Sequence, residues 1–248
     1  MPNRKKLRIV VLYGGRSAER EISIITGQQI IANLDRKKYQ VIPLEIPQRG
    51  NAWVAKLLRA RPEIVIPALH GPFGEDGTIQ GLLEMLDLRY TFSGVLASAL
   101  AMDKYRTSEL MRAHGIVAPR GILVTARTSV REILHQVRFP CVVKPNCLGS
   151  SVGITVNITN AKDFQKALKL AFRYDREVLV EEYIHGREIT ASVLGNDHPR
   201  ALPLIEIVSK IGNFYNYESK YAKGGSEHII PAPLSPALFK KIQEIAQK

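Results

Sequence analysis

Arg8-Ile9-Val10-Val11-Leu12-Tyr13 is an unbroken apolar run, rich in β-branched residues, that stops at Gly14-Gly15. Such a run reads as a buried strand. The next ninety residues alternate around it. Ser17 is placed to N-cap a helix that carries Glu19 and Glu21 in its first turn, where a helix favours anions. Ile22, Ile25, Gln29 and Ala32 then share one helical face, widened by Ile30, Ile31 and Leu34. Tyr39 to Ile46 returns as a strand, Ala52 to Ala60 as a helix, Glu63 to Leu69 as a strand and Thr78 to Leu86 as a helix. Strands alternating with helices predict a parallel sheet covered on both faces, an α/β fold.

Near Gly94 the rhythm changes. Val95 to His114 reads as one or two helices, and shorter elements follow. Strands are predicted at Gly121 to Thr125, at Cys141 to Lys144 with Pro145 as the stop, and at Ile154 to Ile158. Further strands are predicted at Val178 to Val180, Glu188 to Leu194 and Ala201 to Val208. Helices are predicted near Arg131 and from Ala161 to Phe172, the latter with lysines 162, 166 and 169 facing outward. Ser209 to His228 is a long polar loop, and loops of that length inside a domain tend to be functional. Ser235 opens a last helix.

Composition excludes several classes. Of 248 residues, 45% are hydrophobic and 23% charged, ordinary for a globular protein and unlike disorder, collagen or a disulfide scaffold. No apolar run approaches the ~20 residues of a membrane span, and the start of the chain does not resemble a signal sequence. A cytoplasmic location is expected. Cys141 and Cys147 have neither zinc-site nor thioredoxin spacing. The net charge of +12 raises nucleic acid as a partner. The surplus is spread, however, with 14 Lys/Arg against 9 Asp/Glu in residues 1–100 and 21 against 14 thereafter. Arg4, Lys5, Lys6 and Arg8 form the one run. Anionic substrates such as nucleotides explain the surplus equally well, so neither a nucleic-acid nor a membrane partner is expected.

Five segments could carry chemistry. Gly149-Ser150-Ser151-Val152-Gly153 fits the letters of a hydrolase nucleophile elbow, but that motif needs a helix after it. Ile154 to Ile158 is strand-like, so a Gly/Ser hairpin able to cover phosphates is the better reading. Lys144 ends an apolar strand beside that hairpin; it either snorkels to solvent or meets an anionic partner, and beside the hairpin a phosphate ligand is the more economical reading. Leu69-His70-Gly71 through Gly74-Glu75-Asp76-Gly77 lies just past a strand end, where open α/β sheets gather ligands. His70 reads either as a structural hydrogen bonder or as a site residue. Glu181, Glu182, Tyr183 and Glu188 follow a strand as metal ligands, surface charges or nucleoside acceptors. Tyr217-Glu218-Ser219-Lys220-Tyr221 is a solvated aromatic loop or a substrate lid. G-x-x-x-x-G-K-[ST], G-x-G-x-x-G and H-E-x-x-H are all absent.

Taken in order, these segments resemble the D-alanine–D-alanine ligases of the ATP-grasp enzymes. Gly14 to Glu21, Leu69 to Gly81, Ser98 to Lys104, Lys144-Pro145 with Gly149 to Gly153, and Tyr217 to Tyr221 stand in the family order, from Leu7 to the chain end. The resemblance implies an N-terminal parallel-sheet (pre-ATP-grasp) domain over residues 1–100. An ATP-grasp central domain over 101–187 follows, and 188–248 begins the C-terminal part of an incomplete ATP-grasp α+β fold. It implies that ATP phosphorylates one D-alanine carboxylate and that the amine of a second D-alanine attacks the acyl phosphate, for peptidoglycan precursors. Carried over by motif, Glu19 would hold the first D-alanine's ammonium. Ser150 and Tyr221 would complete a hydrogen-bonded set with it, and His70 would lie near that substrate. Lys104, Lys144, Lys220 and the Ser151 turn would contact ATP phosphates. Glu181 and Tyr183 would frame adenine, and Glu188 would take the ribose hydroxyls. Tyr221 favours D-alanine over D-lactate as the second substrate. A homodimer is implied as well.

Two departures stand out. Phe92 occupies a position where the family usually has glycine, which is expected to disturb the crossing out of the first domain. The family's arginine and its Asp, Glu and Asn ligands for Mg2+ (or Mn2+) have no counterpart among the 248 residues. The expectation is therefore that this chain alone turns over little or nothing. The alternatives are a non-catalytic nucleotide- or D-alanine-binding protein and a D-alanine–D-lactate type ligase.

Overall fold

The computed structural model describes residues 5–149, 151–211, 222 and 224–248. It divides into two compact units, Met1–Thr107 with Asn146–Gly149, and Ser108–Pro145 with Ser150–Lys248.

The first unit is the parallel α/β layer that the opening run demands. Strand β1 (Leu7–Gly14) lies between β2 (Tyr39–Ile46) and β3 (Ile64–Pro67), parallel to both. Val10 and Leu12 face one side, with Leu57 of helix α2 (Ala52–Ala60) and Leu83 of α3 (Thr78–Met85). Ile9 and Val11 face the other, toward Ile30, Ile31 and Leu34 from helix α1 (Arg20–Asn33) and just beyond it. Side-chain alternation along a strand produces this division into two cores.

Helix α1 differs from the expectation in two respects. Its buried residues are Ser23 and Gly27, and Ile25 is 56% exposed. Gly27 decides the face: a Cβ there would come within 2.5 Å of Tyr13 Cβ, so its absence lets the helix lie close on β1. Ser17 does not cap the helix. Glu19 holds the N-cap position without a side-chain cap bond, while Ser17 Oγ accepts from Glu19 N and donates to His70 O. Serine favours caps because its hydroxyl bonds nearby backbone, and here that hydroxyl bonds the neighbouring loop instead.

Val95 to His114 forms two helices, α4 (Val95–Met102) and α5 (Lys104–Ala113). Just before α4, Phe92 has φ +76° and is 72% exposed. The left-handed backbone there costs a residue with a Cβ roughly 1–2 kcal/mol, and the exposed ring recovers little by burial. Part of that gain is cancelled by the larger unfolded-state entropy of glycine. Phe92→Gly is therefore expected to raise the melting temperature by about 1–3 °C. A scanning melt checks this, and a fall would mean that the ring's remaining contacts outweigh the backbone strain.

The second unit carries a four-stranded antiparallel sheet in the order β4-β7-β5-β6, with β4 Gly121–Thr125, β5 Cys141–Pro145, β6 Thr155–Ile158 and β7 Glu177–Glu182. Helices α6 (Val130–Gln136) and α7 (Ala161–Ala171) supply Ile133, Phe164, Ala167 and Leu168 to one face of it, against Val124, Val143 and Val180. Ser129 and Glu132 form a full capping box at the start of α6. β5 and β6 pair antiparallel, as the hairpin reading of these residues requires.

The region after residue 187 departs from the expected long strands. Glu188 to Leu194 is divided between β8 (Glu188–Thr190) and β9 (Val193–Leu194), which join different sheets. Ala201 to Val208 is likewise divided between β10 (Arg200–Ala201) and β11 (Ile205–Ser209). β11 pairs with β8 on one side and β12 (Ser226–Ile229) on the other. Arg187 makes a bidentate bond to the buried Glu206 and also donates to Pro233 O. Ser235 caps α8 (Pro236–Ala246) as expected.

Candidate active site

In the first unit the site residues gather at the carboxyl ends of the strands. Gly14 N donates to Ser23 Oγ at 2.8 Å, and Ser23 Oγ donates to Ala68 O at 2.6 Å. Arg20 Nη1 donates to Gly15 O and Ile46 O and its other nitrogen pairs with Glu45. One serine and one arginine thus tie the ends of all three strands. That frame fixes the turn from which Glu19 enters α1.

Glu19 is 3% exposed at the amino end of α1, where the helix dipole favours an anion. Two glycines make room for it. A Cβ on Gly71, whose φ is +69°, would sit 2.2 Å from Glu19 Oε2, and one on Gly149 would sit 3.2 Å from either oxygen. The carboxylate therefore lies where the His70 loop and the Gly149 turn both approach it.

His70 follows β3 and is held from both sides. Its Nε2 is 3.0 Å from Thr26 Oγ1, and its Nδ1 is 3.7 Å from Glu75 Oε1. Glu75 Oε2 accepts from Gly71 N at 2.7 Å. Thr26 was invisible to sequence reading, since nothing in the pattern of α1 marks it. Glu75 lies in the same loop, and only the fold shows that it bridges His70 and Gly71 N.

Lys104 opens α5. Its Nζ donates to Leu148 O at 2.6 Å and Asn146 O at 3.2 Å. Asn146 is fully buried and its Oδ1 accepts from Tyr105 N. Burial pushes the Asp103 carboxyl up, but bonds from Arg106 N, Asn146 and the Arg106 guanidinium outweigh it and hold that carboxyl below the usual range. The Asn146–Leu148 turn and the start of α5 are thus one hydrogen-bonded assembly, and Asn146 is its unforeseen hub.

In the second unit Lys144 and Glu181 form an ion pair across β5 and β7, with side chains 20% and 9% exposed. Val142 lies opposite Glu181 and Leu179 opposite Lys144, so all four share the sheet face turned away from α7. Gly121 lies opposite Glu181 on β4, and a Cβ there would touch Glu181 Cβ at 3.0 Å. Tyr183 packs edge-on to His185 at 4.6 Å and donates its backbone N–H to Pro140 O. Glu188 is exposed at the start of β8, opposite Ile207. Ser151, at φ +60°, begins the return to β6. Ser150, Lys220 and Tyr221 lie outside the described residues. Among the described residues no three of His, Cys, Asp and Glu converge as a metal site.

Comparisons with known proteins identify the family. A family profile described as D-ala D-ala ligase C-terminus matches residues 114–248, and one described as D-ala D-ala ligase N-terminus matches 8–62 and 56–93. The D-alanine--D-alanine ligase of Desulforamulus reducens is 45% identical over 251 residues, covering 98% of this chain and 79% of the relative. The structure of the D-alanine-D-alanine ligase from Coxiella burnetii superposes with a TM-score of 0.81 at 31% identity, over 98% of this chain and 76% of that one. The D-alanine--D-alanine ligase from Bacillus anthracis, complexed with ATP, does so at 0.79 and 30%, over 97% and 76%. The chain belongs to the D-alanine–D-alanine ligase family, ATP-dependent enzymes that form D-alanyl-D-alanine for peptidoglycan synthesis.

Proposed function

We propose that Glu19 receives the ammonium of the first D-alanine, that Ser150 and Tyr221 complete a hydrogen-bonded set with Glu19, and that His70 borders the same substrate. The observation that carries this is a buried carboxylate at a helix amino end, with two glycines leaving it room. Lys104, Lys144, Lys220 and the Ser151 turn take the phosphates of ATP. Glu181 and Tyr183 border the adenine, and Glu188 the ribose. The ATP-bound Bacillus anthracis relative supports nucleotide binding as the shared property.

The chemistry follows from charge. A carboxylate oxygen of the first D-alanine attacks the γ-phosphorus, and the bond to ADP breaks. The free amine of the second D-alanine then attacks the acyl carbon, phosphate leaves with the electron pair of the C–O bond, and the nitrogen gives up a proton. Lysines neutralise the phosphoryl charge during transfer, and a covered site protects the acyl phosphate from water. Mg2+ belongs to this reading through the family resemblance. Among the described residues the carboxylates do not form its site. A cytoplasmic homodimer belongs to the reading on the same ground, and among the described residues no helix is long and apolar enough to cross a membrane.

Calorimetric titration of the chain tests the reading. ATP is expected to bind with a Kd of about 1 mM or tighter, and D-alanine to bind separately. No saturable heat for either ligand at roughly ten times that concentration would remove the assignment.

A further inference from the structure

The basic residues of the first unit are scattered in the sequence and gathered in the fold. In a parallel sheet every strand begins at the same end. Lys5, Lys6 and Arg8 enter β1 there. Arg36, Lys37 and Lys38 lead into β2, and Arg59 and Arg61 lead into β3. Backbone bonds place them in one row: Leu7 N to Lys38 O at 3.0 Å, Glu63 N to Arg8 O at 2.9 Å, and Val65 N to Arg89 O at 2.8 Å. Nine cations stand there against three acids, Asp35, Glu63 and Asp87, a surplus of six in a chain whose whole surplus is +12. Eight of the nine are exposed and Arg8 is partly so. Among the described residues Lys38 alone of this set has a carboxylate in ion-pair range, Asp35 at 3.9 Å.

The type of partner follows from what the rim lacks. Helices α1 and α2 end there, so it presents helix carboxyl ends, the wrong pole for gripping individual phosphates. Among the described residues no exposed aromatic side chain stands between its cations on which a base could stack. What remains is a collective field from long side chains, which suits a diffuse anionic surface. The Glu19 and His70 motifs lie at the other end of β1, about 25 Å away along eight residues of strand. Docking through the rim therefore leaves that end free.

We propose that the amino-terminal rim of the N-terminal sheet is an electrostatic docking surface for an anionic lipid bilayer. Among the described residues the exposed apolar side chains beside these cations are single ones, Leu58 and Met85, so charge dominates and the attachment is reversible and salt-sensitive. Vesicles of phosphatidylglycerol and phosphatidylcholine in equal parts should co-sediment with the chain at about 50 mM salt and release it at about 300 mM. Vesicles of phosphatidylcholine alone should not bind it. The variant K6Q/K37Q/K38Q/R59Q should lose affinity by about tenfold or more, with an unchanged circular-dichroism melt as the check on folding. The control K162Q/K169Q/K240Q/K241Q removes as much charge from exposed positions on α7 and α8 and should bind within about twofold of the parent. Failure to co-sediment at low salt, equal loss in both variants, or rim-dependent retention on duplex DNA under conditions where vesicles are not bound would each overturn the proposal.

Discussion

Glu19→Gln is expected to weaken D-alanine binding by about a hundredfold and to leave ATP binding unchanged. Glutamine keeps the shape of the side chain, so the packing between Gly71 and Gly149 is preserved. The charge is lost. An ammonium brought into a site where its partner is 3% exposed has little water to replace the missing carboxylate. Removing one member of a desolvated charge pair costs about 2–5 kcal/mol, which is where the hundredfold comes from. Gly71→Ala should reach the same result by displacement. Its Cβ would meet Glu19 Oε2 at 2.2 Å, and its φ of +69° disfavours any side chain. Titration of each variant with both ligands checks the pair. If glutamine at 19 binds D-alanine as tightly as the parent, the carboxylate is a packing element of the helix start and the ammonium assignment fails.

Much of this was legible from residues, for identifiable reasons. β2, α2 and β4 have the ends that local pattern predicts, because turn formers and helix signals flank clear apolar runs. Ser235 was legible as a cap because proline follows it at the first helical turn. The buried face of α1 was not, because hydrophobicity pointed to Ile25 while the closeness of Gly27 to Tyr13 turned the helix elsewhere. Between residues 188 and 208 apolar stretches looked like single strands. Segments of two to five residues that change sheets are too short for periodicity to divide. Site chemistry was legible as motifs, but their supports were not. Asn146 bonds Tyr105 across 41 positions, and Thr26 meets His70 across 44. Likewise, charge counted along the chain looked dispersed, and only parallel topology collects it at one rim.

Lys144→Met should separate two roles that one side chain holds. The first is ligand binding: ATP affinity is expected to fall by about thirtyfold to a hundredfold, the cost of one lost charge-assisted phosphate contact in a partly buried setting. The second is structural. Glu181 is 9% exposed, and Lys144 is its ion-pair partner. Losing that partner leaves a buried carboxylate exposed to the full cost of desolvation, about 2–3 kcal/mol after allowance for the lysine's own 20% exposure. A double variant resolves the two. K144M/E181Q removes both charges, so most of the lost stability should return, since neutral groups of similar volume are tolerated where half a pair is not. ATP binding should not return, because no cation has been restored. Thermal melts and ATP titrations of the two single variants and the double make a complete cycle, with Lys169→Met on the exposed side of α7 as the neutral reference. Recovery of ATP affinity in the double would show that Lys144 acts only by neutralising Glu181, and its place on the phosphates would then be lost.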